Sequence, residues 1–157
     1  MVRVGVLGEE KCEQTKAILE AFSINPAPLG PYHIVIMNSS IKDAGHYLTQ
    51  IVPNGVLLVN SDDKDIKIQL PAKKIQIITY GLNQKACVTA SSLLEEKAIQ
   101  CCVQRAIPTL MGEELCPQEF SIGLSVPQVQ DIYSVLAGVT AAIVGNIPIE
   151  RVASVQL

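Results

Sequence analysis

The stretch Asn60-Ser61-Asp62-Asp63, with its continuation Ile77-Ile78-Thr79-Tyr80-Gly81-Leu82-Asn83-Gln84-Lys85-Ala86-Cys87-Val88-Thr89-Ala90-Ser91-Ser92-Leu93, decides how the whole chain is read. The apolar run Val56 to Val59 leads into N-S-D-D, and a second run, Ile75 to Thr79, opens into T-Y-G. Short apolar runs closed by turn residues are the pattern of strands buried on both faces. Such strands pair in parallel under covering helices.

The residues before this stretch repeat the pattern. Val2 to Leu7 reads as a strand, and Cys12 to Phe22 places Ala17, Ile18, Ala21 and Phe22 at helical spacing. Three prolines and a glycine make Ser23 to Pro31 a loop, and His33 to Met37 is a further buried strand. Ile41 to Val52 carries Ile41, Ala44, Tyr47, Leu48 and Ile51 on one helical face, before Pro53-Asn54-Gly55 turns into Val56. After Gly81 the pattern changes. Cys87 to Leu93, Ala98 to Ile107 and Glu119 to Ser125 are strand-like, separated by short polar turns with no helical signal, so antiparallel pairing is expected. Val129 to Val144 then returns to helical spacing, and Pro148 opens a short final helix. The expected fold is α/β: a Rossmann-like, mostly parallel sheet flanked by helices over residues 1–80, a small antiparallel satellite sheet over 81–126, and C-terminal helices over 127–157.

At 157 residues the chain is one domain by length. Folding at that size buries roughly 68–70% of the unfolded surface. With 48% hydrophobic and 17% charged residues and a mean hydropathy of +0.32, it reads as an ordered, apolar globular protein. The net charge of -3 and pI near 5.3 argue against nucleic acid as a partner. Two phenylalanines, four tyrosines and no tryptophan leave no base-stacking platform. The amino terminus reads as a core strand rather than a signal peptide, and no apolar run has the length of a membrane span. Five cysteines without a C-x-x-C spacing read as reduced thiols, which places the protein in the cytoplasm. Cys101 and Cys102, adjacent on a strand, are expected on opposite faces.

N-S-D-D followed by T-Y-G-L-N-Q-K-A-C-V-T-A resembles the second half of the Mur ligase central domain, whose members carry N-x-D-D and then T-[FY]-G-x-x-x-x-A-D-V-x-A. Val4-Gly5-Val6-Leu7-Gly8 resembles that family's strand into its phosphate loop. The run from Pro127 to Gly138, closed by Gly145-Asn146-Ile147-Pro148-Ile149-Glu150, is similar to its late helix in apolar frame only. The resemblance implies an ATP-dependent amide ligase ancestry, with a vestigial nucleotide site at Gly8, Lys11, Gln130, Asp131 and Ser134. In the family a glycine-rich turn, a lysine and a hydroxyl hold the triphosphate and magnesium. Here the loop reads Gly8-Glu9-Glu10-Lys11-Cys12-Glu13-Gln14-Thr15, with no glycine before the lysine and no hydroxyl after it. A carboxylate about 4 Å from a phosphate charge costs on the order of 4 kcal/mol at an effective dielectric near 20. A helix N-terminus returns only about 0.3–2 kcal/mol to an anion. Glu9 and Glu10 therefore oppose a triphosphate unless they point away, and they equally suit the first turn of a helix.

The family's metal ligands fall in a region that here reads Met37 to His46, without its D-H pair, and with Ala44 or Gly45 near the modified-lysine position. The segment between the first helix and this strand is also shorter than in the enzymes, which implies lost strands and an exposed sheet edge. His46 and His33 have no second ligand at metal spacing. Asp62 and Asp63 read either as a turn or as a metal pair, and Cys87 has no local base to make it a nucleophile. No catalytic residue and no cofactor is expected, with ATP and magnesium as the alternative.

Two functions follow: a binding, regulatory or scaffold module in cell-envelope metabolism, partnered by another protein or by its own copies; or an ATP-dependent ligase or nucleotide-binding subunit completed by another chain. A third reading takes the motif as chance and the chain as an unrelated doubly wound domain. Antiparallel strands after Gly81 favour the ligase ancestry, and a helix there excludes it.

Overall fold

A computed structural model of the chain describes residues 2–8, 12–94, 98–124 and 131–157. One seven-stranded sheet organises them. It contains β1 (Val4–Leu7), β2 (Tyr32–Met37), β3 (Ile51–Asn60), β4 (Gln76–Tyr80), β5 (Val88–Leu94), β6 (Ala98–Val103) and β9 (Gln118–Gly123), in the order β1-β2-β3-β4-β5-β6-β9. The first five are parallel, and β5-β6 and β6-β9 are antiparallel. A separate two-stranded antiparallel sheet pairs β7 (Ile107–Pro108) with β8 (Glu114–Leu115).

The fold class is the one the sequence pattern implies. The later strands, however, extend the main sheet: Tyr80 pairs with Val88, and β5, β6 and β9 continue from there. The detached antiparallel element is the β7-β8 hairpin. Among the described residues, strands rather than a helix follow Gly81 up to residue 124, the arrangement expected of a Mur ligase-like topology.

Among the described residues four helices complete the fold: α1 (Cys12–Ala21), α2 (Ala44–Leu48), α3 (Ile132–Val144) and α4 (Ile149–Ala153). The period-2 alternation of the strands explains their placement. Ile34 and Ile36 of β2, Val56 and Leu58 of β3, and Ile78 and Tyr80 of β4 enter one core with Ile18 and Leu19 of α1, Phe22 just after it, and most of α3. The alternate residues Val35, Met37, Leu57 and Val59 enter a second core with Leu48 of α2. From Ser134 to Val144 every residue of α3 is buried, as suits a helix apolar on all sides. The strand pair Cys101 and Cys102 behaves as alternation requires, with Cys101 buried in the first core and Cys102 half-buried.

Two local readings are corrected. The helix expected over Ile41 to Val52 is confined to Ala44–Leu48, because β3 already begins at Ile51, opposite Tyr32. The turn expected at Pro53-Asn54-Gly55 is a bulge inside β3. Tyr32 pairs with Ile51 and Ile34 with Val56, so the extra residues loop out, with Asn54 at φ 65. Between β3 and β4 the crossover over residues 61–75 has no helix; Ile66, Ile68 and Ile75 cover the second core instead. No helix among the described residues is long and apolar enough to cross a membrane.

Candidate functional site

The carboxyl ends of β1 to β4 lie side by side, bringing Gly8, Asn38, the Asn60–Asp63 turn and the Gly81–Asn83 turn along one rim of the sheet. In open α/β sheets this is the rim that carries ligands.

Asp62 is the hub of that rim. Its Oδ1 accepts from the Asn83 amide at 2.7 Å, and its Oδ2 accepts from the Leu82 N–H at 2.6 Å and from the Tyr133 hydroxyl at 3.0 Å. Burial pushes the carboxyl pKa up, but these three donors outweigh it and hold the group below its ordinary value. Tyr133 moves the other way: burial, then its bond to Asp62 and the charges of Asp62 and Asp131, raise its pKa. Gly81 is needed for the approach, since a Cβ there would lie 2.9 Å from the Ser61 hydroxyl and 3.1 Å from the Asp62 carboxylate. The turn is closed further by Asn83, which also donates to the Ser61 hydroxyl at 2.8 Å, and by the Asp62 N–H on Asn60 Oδ1 at 3.0 Å. Asp63 accepts from the Asp65 N–H at 2.9 Å. Both aspartates thus act in turns.

Beneath the hub a buried chain of polar groups links the strands. The Tyr80 hydroxyl donates to Asn38 Oδ1 at 2.7 Å, and the Asn60 amide donates to the Asn38 carbonyl at 3.2 Å. Burial, with the charge of Asp131, pushes the Tyr80 pKa well up, so the phenol remains a donor.

Of the five residues singled out in the sequence, Lys11 and Gln130 lie outside the described residues, as do Glu9 and Glu10. Gly8 follows β1 at φ +136, a conformation suited to glycine, with the Ser39 hydroxyl 2.9 Å from where a Cβ would be. Asp131 and Ser134 are together, but they face each other. Asp131 caps α3, its Oδ2 accepting from the Ser134 N–H at 3.0 Å and the Ser134 hydroxyl at 2.9 Å. The buried Thr15 hydroxyl of α1 donates to Ser134 at 3.1 Å, and Gln14 accepts from the Asp131 N–H at 3.1 Å. This cluster fastens the start of α3 to α1.

The histidines are apart from this rim. His33 accepts the Arg3 N–H on Nδ1 at 2.9 Å, and His46 is exposed on α2, against the edge of Tyr47 and beside the Gln50 amide at 3.2 Å. Asn83, Tyr133, Asn38 and Tyr80 were not read as site residues. In the sequence Tyr133 is one residue of the apolar helical spacing from Val129 to Val144, and Asn83 one residue of the turn motif.

This architecture is found in solved structures. A crystal structure of MurF from Acinetobacter baumannii superposes on it with a TM-score of 0.67 and 13% identity, over 99% of this chain and 46% of that one. The chain has a Mur ligase-like fold. The UDP-N-acetylmuramoylalanyl-D-glutamyl-2,6-diaminopimelate–D-alanyl-D-alanyl ligase from Acinetobacter baumannii matches with a TM-score of 0.69 at 13% identity, over the same shares. The UDP-N-acetylmuramate:L-alanyl-gamma-D-glutamyl-meso-diaminopimelate ligase from Neisseria meningitides matches at 0.58 and 8% identity, over 99% of this chain and 66% of that one. The chain therefore spans less than half the length of the Acinetobacter ligases. No protein-family model matches the sequence, and no curated protein matches it.

Proposed function

We propose that this protein keeps the Mur ligase-like fold without ATP-dependent amide ligation, and acts as a binding module, regulatory or scaffolding, in the cytoplasm. Its partner is another protein or a second copy of the chain, and cell-envelope metabolism is the setting that the names of the similar ligases suggest. One observation carries the reading: Ser134 is fully buried, with its hydroxyl engaged by Asp131 and Thr15. The two polar groups that the resemblance assigns to a nucleotide instead hold two helices together. The loop Gly8-Glu9-Glu10-Lys11-Cys12-Glu13 supports the same view, because its carboxylates oppose a triphosphate and no hydroxyl follows the lysine to meet magnesium.

Phosphate release from Mg-ATP tests this directly. The purified chain is expected to release none above the Lys11→Ala variant. A rate that Lys11→Ala abolishes would contradict the proposal.

A second reading, a nucleotide-binding subunit using ATP and magnesium and completed by another chain, has one observation in its favour. The chain spans only 46% of the Acinetobacter ligases it matches.

A further inference from the structure

We infer that the crossover between β3 and β4 is a docking edge for an extended segment of a partner protein in which apolar and acidic residues alternate. This rests on the reading above that the chain binds a partner. Ile66 and Ile68 of the crossover are anchored against the second core, while Lys67 and Gln69 beside them are exposed. That period-2 alternation is the side-chain pattern of an extended strand. Among the described residues no hydrogen bond engages the backbone N–H or C=O of any residue from Ile66 to Leu70. The segment is held by its side chains with its main chain free, and such a row of unpaired groups is a template for another strand.

The sheet next to it is apolar and open. Ile78 and Tyr80 of β4 enter the first core, so Ile77 faces the other side. The buried strand residues of the second core come from β1, β2 and β3. Ile77 is the register partner of Leu57, which is fully buried in that core, so Ile77 borders the core that Ile66 and Ile68 cover. It is nevertheless 44% exposed, and Leu70 at the end of the free segment is 53% exposed.

Charge says what fits there. From Ile66 to Ile77 the chain has three lysines, Lys67, Lys73 and Lys74, and no acidic residue, a local charge of +3 on a chain of net charge -3. Among the described residues none of the three is in an ion pair. Lys73 donates to the Thr49 carbonyl, whereas Lys67 and Lys74 are exposed. Opposite charges across a strand pair stabilise it, and like charges destabilise it. A second copy docking by the same edge would set lysine against lysine, so the charge selects an acidic partner. A lipid surface fits poorly, because hydrocarbon offers the bare backbone groups no partner. Strand addition draws affinity from main-chain bonds and selectivity from side-chain contacts. Here the backbone of Ile66 to Leu70 offers the first; Lys67 selects acidic residues, and Leu70 and Ile77 apolar ones.

A phage-displayed library of random seven-residue peptides, selected against the full chain, tests this. Enriched peptides, made synthetically, are expected to alternate apolar residues with Asp or Glu, and to bind about tenfold or more weakly to Lys67→Glu than to wild type. N-methylation of alternate amides is expected to abolish binding in one phase and spare it in the other. Lys67 is exposed, so an unchanged thermal midpoint will show that Lys67→Glu is folded. No enrichment over an unrelated control protein would overturn the inference. So would binding that ignores N-methylation or Lys67→Glu. A dimer seen by light scattering that Lys67→Glu dissociates would assign the edge to a second copy, and co-sedimentation with phosphatidylserine vesicles that Lys67→Glu abolishes would assign it to a membrane; either overturns the inference. Turnover of Mg-ATP would instead refute the proposed function, whatever the peptides do.

Discussion

The carboxylate of Asp62, at the end of β3, accepts a hydrogen bond from the Tyr133 hydroxyl at the start of α3, across 71 residues of sequence and 3.0 Å of space. That bond ties the late helix to the motif turn, and the same carboxylate holds the Leu82–Asn83 backbone and side chain. The residues that give the chain its family likeness are thus the ones that join its two halves.

Asp62→Asn is expected to cost about 1 kcal/mol at pH 7, near the low end for charge-assisted bonds because the carboxylate is partly solvated. Since the folded pKa lies below the ordinary 3.8, the stabilisation is present above that pH and fades as pH falls toward and through the folded value. Urea unfolding of wild type and variant at pH 7 and in stronger acid measures it. A gap that stays constant would contradict the assignment.

Ser134→Ala removes the hydroxyl bridging Thr15 and Asp131, and should cost about 1 kcal/mol. Asp131→Ala removes the cap of α3 and should cost about 0.5–2 kcal/mol. The two should be non-additive in denaturant titrations, because they share one cluster.

Gly138 lets α1 and α3 approach: a Cβ there would collide with the Ile18 side chain. Gly138→Ala gains about 1 kcal/mol of helix propensity but overpacks the contact by about 1–3 kcal/mol, for a net loss. With Ile18→Ala in the background the same substitution should become stabilising. A double-mutant cycle by thermal unfolding would show the sign change, and equal effects in both backgrounds would exclude the contact.

Thiol reactivity should follow burial. Cys116 is exposed and is expected to alkylate first, whereas Cys101, its pKa raised by burial, and then by Cys102, to about 12, should resist until the chain unfolds. Timed iodoacetamide labelling read by peptide mass spectrometry gives the order.

The sequence made the strands and α3 legible, because buried parallel strands and an all-apolar helix are written in composition and period. Three things were not. The length of α2 was overread because Ile51 fits both the helical stripe and the strand that pairs with Tyr32. The continuity of β5, β6 and β9 with the main sheet depends on the Tyr80–Val88 pairing, which no local pattern encodes. In the site, Asp131 and Ser134 were read as ligand-facing by likeness, while the D-x-x-S spacing before an apolar run is also a helix cap, the role in which they are found.

Calorimetric titration of Mg-ATP into the wild-type chain and into Lys11→Ala, carried to millimolar nucleotide, decides whether the chain holds a nucleotide. No saturable heat is expected in either protein, and no shift in thermal midpoint at the same concentrations. Saturable binding that Lys11→Ala weakens would contradict this and favour the nucleotide-binding reading.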